Sequence, residues 1–176
     1  YNGGCPLLSA KMQDALNTQI HEEFFSSYLY LSMAAWCESN NFDGFAHWMR
    51  MQAQEELFHA MKLYDYVNAV GGKVVLKGVD APETKWNSPL AMFEASLAHE
   101  QFMTKNINAI VDIAHQEKDH ATDNMLQWFI SEQVEEEATV DAICGKLKML
   151  GDTGHGIYMM DRELAARAAP TPPAAE

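Results

Sequence analysis

The sequence has few basic residues compared with its acidic ones. Twelve lysines and arginines stand against twenty-five aspartates and glutamates, which gives a formal net charge of −13 over 176 residues. This shortage of positive charge disfavours binding to nucleic acid or to anionic membranes, and it suits a protein that attracts cations. A requirement for solubility would account for the charge equally well.

Cysteines and long apolar runs are also scarce. Cys5, Cys37 and Cys144 are an odd number and include no Cys-x-x-Cys pair, so neither a disulfide framework nor a zinc or rubredoxin-type site is indicated. No apolar run approaches the roughly twenty residues of a membrane-spanning helix, and the first residues do not resemble a signal peptide. We therefore expect a cytoplasmic protein that binds no membrane.

The hydrophobic content is high enough for one sizeable core. At 48% hydrophobic residues, the chain needs neither a second domain nor disulfides for its basic stability. We predict one domain over residues 1–168. The remaining residues, 169–176, contain three prolines and are typical of a disordered tail.

Apolar side chains recur at helical intervals along five segments. The predicted helices run from Ser9 to about Cys37, from the turn at Glu38–Asn41 to Gly71, from about Pro89 to Gln116, from the turn at Glu117–Asp119 to Leu150, and from Ile157 to Arg167. Between the second and third helices, about seventeen residues without helical period could span roughly 55 Å, more than the roughly 42 Å of a helix of about twenty-eight residues. The sequence therefore predicts an all-α four-helix bundle with a long crossover between helices 2 and 3 and a short fifth C-terminal helix.

One glutamate interrupts the apolar stripe near the middle of each long helix: Glu23, Glu56, Glu100 and Glu136. His59 lies one helical turn after Glu56, so the two side chains share a face. A single glutamate in such a helix usually lies at the edge of the stripe and reaches water. Four that converge would cost several kcal/mol each unless they take up protons or meet a cation. Carboxylates with a single imidazole suit iron or manganese better than zinc.

Four motifs show a resemblance to bacterial non-haem ferritins from Leu8 to about Leu164. They stand in the order and at the separations of the ferroxidase motifs of that family: E-F-F-S-S-Y-L-Y at Glu23–Tyr30, A-Q-E-E-x-x-H at Ala53–His59, H-E-Q at His99–Gln101 and L-Q-W-x-x-S-E-Q-x-E-E-E at Leu126–Glu137. The resemblance implies a ferritin-like di-iron domain.

By position, the resemblance also implies a set of iron ligands. Glu23, Glu56 and His59 would hold a first iron, and Glu56 would bridge to a second iron held by Glu100 and Glu136.

Three other residues resemble groups that lie close to this centre in the family. Gln133 corresponds to its glutamine near the site, and Tyr30 and Trp128 correspond to its neighbouring aromatic residues. Core packing would account for the two aromatic residues equally well.

A third, weaker iron site is implied by Glu55, Glu132 and Glu135, together with Glu136. On composition alone, the acidic run at residues 132–137 is by default a solvated face. Its helical spacing and the position of Glu55 beside Glu56 favour the metal site.

Several departures separate this chain from related families. Leu57 stands where bacterioferritin has its haem-ligating methionine, so no haem is expected, and Gln133-x-x-Glu136 replaces a second Glu-x-x-His. A rubrerythrin-like peroxidase would need a Cys-x-x-Cys rubredoxin module, which this sequence does not contain. Mini-ferritins lack the fifth helix that Ile157–Arg167 supplies.

The resemblance implies iron storage. Fe(II) would be oxidised by O₂ or hydrogen peroxide in a ferroxidase reaction, and Fe(III) mineral would collect in a hollow homo-oligomer of twenty-four subunits. The apolar Ile157, Tyr158, Met160 and Leu164 are expected to pack against symmetry-related copies. Two alternatives stay open: a di-iron enzyme that activates oxygen for an organic substrate, and a structural helical protein without metal.

Overall fold

Five α-helices and no strand form the secondary structure in a computed structural model that describes residues 8–151 and 153–172. They are α1 (Ala10–Ser39), α2 (Asp43–Ala69), α3 (Pro89–Glu117), α4 (His120–Leu150) and α5 (Gly154–Leu164). The predicted four-helix bundle with a fifth C-terminal helix is confirmed. Cys5 and residues 173–176 of the predicted tail lie outside the described residues.

Side-chain caps explain where most of the helices begin. Ser9, Ser88 and Asp119 each accept a hydrogen bond from the backbone N–H three residues further on, as expected of N-cap residues. Thr153 does the same for Gly156, so α5 begins at Gly154 and not at the predicted Ile157. It also ends at Leu164, earlier than the predicted Arg167.

The N-terminus of α2 is capped from another part of the chain. Its own N-cap residue, Phe42, makes no side-chain cap. Instead, Oδ1 of Asp161 in α5 accepts hydrogen bonds from the backbone N–H groups of Gly44 at 2.7 Å and Phe45 at 3.1 Å. A carboxylate at this position also interacts favourably with the helix dipole. These hydrogen bonds therefore hold α5 against the N-terminus of α2.

The crossover at residues 72–88 follows the outside of α1. Asn17 donates to the carbonyl of Lys73 at 2.9 Å and accepts from the N–H of Val75 at 2.7 Å. Further along, Ser32 donates to the carbonyl of Glu83 at 2.6 Å. Asn17 and Ser32 are separated by about 22 Å of helix, so the link runs along much of the bundle, as the spacing predicted.

Two apolar clusters fill the core, one on each side of a polar middle layer. One includes Tyr30, Phe45 and Phe93, and the other includes Leu16 and Phe129. Along each long helix, the buried glutamate falls between the residues of one cluster and those of the other. The four carboxylates thus lie at one level of the bundle, with an apolar cluster on either side.

Part of the expected assembly surface lies inside the chain. Met160 and Leu164 are buried in the first apolar cluster, so the expectation that they face another subunit is wrong. Tyr158 and Met159 are the exposed large apolar side chains of α5. Among the described residues, no helix is both long and apolar enough to cross a membrane.

Candidate metal centre

Six polar side chains meet in the layer between the apolar clusters. Each is at most 8% exposed: Glu23, Glu56, His59, Glu100, Gln133 and Glu136. All six were candidates from the sequence. The four long helices contribute at least one each, so the layer exists only in the assembled bundle.

Two overlapping triads of possible ligand atoms share Glu56. Glu23, Glu56 and His59 form one, and Glu56, Glu100 and Glu136 form the other; within each, one ligand atom per residue lies within 4.8 Å of the others. Nδ1 of His59 is 3.8 Å from Oε2 of Glu23 and 3.6 Å from Oε2 of Glu56. A carboxylate common to both triads is the arrangement that a bridging ligand requires.

The layer holds more carboxyl groups than its one imidazole can balance if all of them were ionised. Oε2 of Glu23 and Oε2 of Glu136 are buried without a hydrogen-bond partner among the described residues. Burial raises the pKa of both carboxyl groups well above the ordinary range, and the neighbouring Glu56 raises both further. Buried polar atoms of this kind are normally satisfied, so these oxygens fit a metal ion of hard-acid character.

His59 and Glu56 form the charged pair of the layer. Although burial opposes it, the nearby negative charge of Glu56, with help from Glu23, raises the pKa of His59 to about 9. Burial also disfavours the charge on Glu56, but His59 holds the pKa of Glu56 below its ordinary value. Without metal, a protonated His59 thus supplies one positive charge, and a bound cation would replace that proton.

Polar side chains outside the triads orient the carboxylates. Gln19 donates to Oε1 of Glu23 at 2.8 Å. Gln52 donates to Oε1 of Glu56 at 2.7 Å and to Oε1 of Glu136 at 3.0 Å, so it contacts both triads' carboxylates. Neither glutamine was predicted. The available signal was their position four residues before Glu23 and Glu56, on the same helix faces.

The three expected neighbours lie beside the centre. The hydroxyl of Tyr30 donates a hydrogen bond to Oε1 of Glu100. Gln133 donates to the carbonyl of Glu100 at 3.2 Å and to its Oε2 at 3.3 Å. The ring of Trp128 lies edge-on to His59 with 5.3 Å between centroids, so it restricts the imidazole.

The side chains of the predicted third site do not converge as those of the two triads do. Glu55 forms a close ion pair with Arg167, whose guanidinium stacks 4.2 Å from the ring centre of Trp48. Glu132 is partly buried and Glu135 exposed. Among the described residues, no group of converging ligand atoms includes any of the three glutamates. The third site stays a prediction, and Arg167 is a partner that the sequence did not indicate.

The repulsion within the layer gives a pH prediction for the metal-free protein. Burial, followed by the charge of Glu56, raises the pKa of Glu100 to about 8 from an ordinary 4.5. Between these pH values the folded chain holds a proton that the unfolded chain has released, so the free energy of unfolding falls as pH rises. In Glu100→Gln, the free energy of unfolding should therefore decrease less as pH rises.

Thermal melting of the metal-free protein between pH 5 and 8 measures this effect. Glu94→Gln, which changes an exposed residue of the same helix paired with Lys148, serves as the control. A Glu100→Gln protein with the parent's pH dependence would contradict the raised pKa of Glu100, whereas lower stability at pH 8 would mean that Glu100 has a structural role.

Comparison with known proteins gives matches over most of the chain. The sequence model of the Ferritin-like domain matches residues 13–150. A bacterial non-heme ferritin of Bacteroides fragilis is 45% identical over 161 residues, covering 92% of this chain and 100% of the relative. That of Staphylococcus saprophyticus is 41% identical over 162 residues, covering 92% and 97%.

Solved structures show the same likeness. An open pore ferritin from Archaeoglobus fulgidus superposes with a TM-score of 0.92 at 48% identity, over 93% of this chain and all of that one. An engineered closed form of the same ferritin gives 0.91 at 48% identity, over 93% and 99%. These matches confirm the resemblance carried by the four motifs. The chain belongs to the ferritin family.

Proposed function

We propose that the two triads bind two Fe(II) ions as substrate, which O₂ or hydrogen peroxide then oxidises to Fe(III). Glu23 and His59 would hold one ion, Glu100 and Glu136 the other, and Glu56 would contact both. The observation that carries this proposal is that two buried triads share Glu56 and that each contains a carboxylate oxygen with no hydrogen-bond partner in the described part of the chain. Membership of the ferritin family supports the predicted function, which is iron storage.

The reaction balances with two irons. Each Fe(II) gives up one electron, and O₂ with two protons becomes hydrogen peroxide, or hydrogen peroxide with two protons becomes two waters. Anionic ligands favour the higher oxidation state of a metal because they stabilise its greater charge. Burial raises the pKa of Tyr30 well above its ordinary value, so its hydroxyl keeps its proton and goes on donating to Glu100.

Storage also requires an enclosed volume, which a single bundle does not have. The proposal therefore includes a closed homo-oligomer, of twenty-four subunits by resemblance, in the cytoplasm. It includes no resident haem: the exposed Leu57 stands at the position of the bacterioferritin methionine, and the two bacterial relatives are named non-heme ferritins. Residues 1–168 would form the domain.

Aerobic addition of Fe(II) to the purified protein tests the proposal directly. We expect rapid Fe(III) absorbance, many irons per subunit, and one large particle by size-exclusion chromatography with light scattering. A monomer or dimer that forms no iron core at any salt concentration would contradict storage. It would leave a di-iron enzyme with an organic substrate as the better hypothesis.

Arg167 bears on the predicted third site. Because the guanidinium of Arg167 already pairs with the carboxylate of Glu55, a third cation must compete with Arg167 for that carboxylate. Arg167→Gln should therefore tighten binding of a third ion about tenfold, in line with the loss of a charge-assisted hydrogen bond. Titration calorimetry with Mn(II) would measure the affinity and the number of ions.

Two further variants make this measurement specific. Arg162→Gln removes an equal charge from the exposed face of α5 and should leave the ion count unchanged. Adding Glu55→Gln to Arg167→Gln should abolish the third ion again. If Arg167→Gln gives the parent's count and affinity, Glu132 and Glu135 belong to a solvated face.

A further inference from the structure

A cavity of about 330 Å³ opens between α3 and α4, beside the candidate centre. It has apolar walls and a polar floor, and both helices contribute to each. Its lining consists of Thr104, Ile107, Asn108, Ile130, Gln133, Val134 and Glu137. Such a mixture is typical of a site that admits a small solute and holds it by a few polar groups.

The polar floor leads directly to a carboxylate of the second triad. Glu137 accepts a close hydrogen bond from the hydroxyl of Thr104. Gln133 donates to that same hydroxyl oxygen at 3.3 Å and to Oε2 of Glu100 at 3.3 Å. Gln133, which is 6% exposed, thus connects the cavity floor to Glu100.

The oxygen atoms along this floor match one class of solute. Carboxylate, hydroxyl and amide oxygens are the groups for which a hard divalent cation exchanges its water. The apolar walls of Ile107, Ile130 and Val134 lower the local dielectric, which strengthens the field of Glu137 within the cavity. Gln133 is neutral, so its amide can turn aside without leaving an unpaired charge.

We propose that this cavity is an access passage for divalent cations to Glu56, Glu100 and Glu136, with Glu137 as the first carboxylate met and Gln133 as the gate. The inference rests on the proposed function, because it assumes that these carboxylates bind metal. A passage changes how fast ions arrive and leave but not how tightly they are held. Kinetics and equilibrium therefore test it separately.

The test uses Co(II) alone, in the full-length protein, because its visible absorption reports arrival at the centre without oxidation. Val134→Trp should narrow the mouth, and the site tolerates bulk because Val134 is 69% exposed. Glu137→Gln removes the charge but keeps an oxygen for Thr104. In stopped-flow mixing, each variant should slow arrival by about threefold or more. Val134→Trp should leave the equilibrium affinity and the number of bound ions unchanged.

The matched control is Glu94→Gln, which removes the same charge from α3 ten residues before Thr104, about 15 Å along the helix. Its arrival rate should equal the parent's. The proposed passage is contradicted if Co(II) arrives in Val134→Trp as fast as in the parent, even where Glu137→Gln is slow. It is also contradicted if Val134→Trp slows aerobic Fe(II) oxidation without slowing the arrival of Co(II), since the cavity would then serve the oxidant. A parent that binds no Co(II) at the centre would instead contradict the proposed function.

Discussion

Replacing His59 by Ala should slow the fast phase of Fe(II) oxidation by at least about tenfold, which corresponds to roughly 1.4 kcal/mol of barrier. His59 contributes the one nitrogen ligand of the two triads. Its Nδ1 lies close to both Glu23 and Glu56, so its loss leaves the first ion with carboxylates alone. Stopped-flow absorbance of Fe(III) at two irons per subunit gives the rate.

The variant needs controls because His59 also packs against Trp128 and Phe129. His59→Gln keeps most of the side-chain volume and should be slow as well. His115→Ala removes an exposed histidine paired with Asp123 and should be as fast as the parent. Full activity in His59→Ala, with Co(II) binding unchanged, would remove His59 from the ligand set.

Gly44→Ala should displace α5 from the bundle. A Cβ atom at residue 44 would lie 1.7 Å from the carbonyl oxygen of Asp161 and 2.6 Å from its carbonyl carbon. Both atoms belong to the backbone, so no side-chain rotation can relieve the overlap. We expect a loss of about 1–3 kcal/mol in the free energy of unfolding, typical of overpacking, and weaker assembly.

Gly145→Ala is the matched control, because it makes the same change within α4 where the added Cβ would meet nothing within 4 Å. That substitution should stabilise the protein by up to about 1 kcal/mol through helix propensity. Thermal melting and light scattering compare the two. Equal melting temperatures and particle sizes in Gly44→Ala and the parent would contradict the tight packing of α5 on α2.

The residues that could be predicted from the sequence are those whose position depends on their own helix. Glu23, Glu56, Glu100 and Glu136 each lie on an apolar stripe, and a stripe faces the core whatever its neighbours are. The helix starts at Ser9 and Ser88 depend on caps within three residues. Both kinds of signal are local, so the bundle and its central carboxylates could be predicted.

The missed features depend on contacts between distant segments. Arg167 pairs with Glu55 across 112 positions of the chain, and Asp161 caps a helix that begins 118 positions earlier. Nothing in the local pattern around either residue indicates its partner. Gln52 is similar, because its contact with Glu136 requires α2 and α4 to be docked.

The order of the helices also has a consequence for how the chain folds. The most extensive helix contacts lie within α1–α2 and within α3–α4, two hairpins of short sequence separation that are expected to form early. Glu23, Glu56 and His59 all belong to the first hairpin, whereas the second triad needs both. The first of the two proposed metal-binding triads can therefore form before the hairpins dock. A cation captured there would stabilise a partly folded chain whose Glu56 already faces the place that Glu100 and Glu136 will occupy.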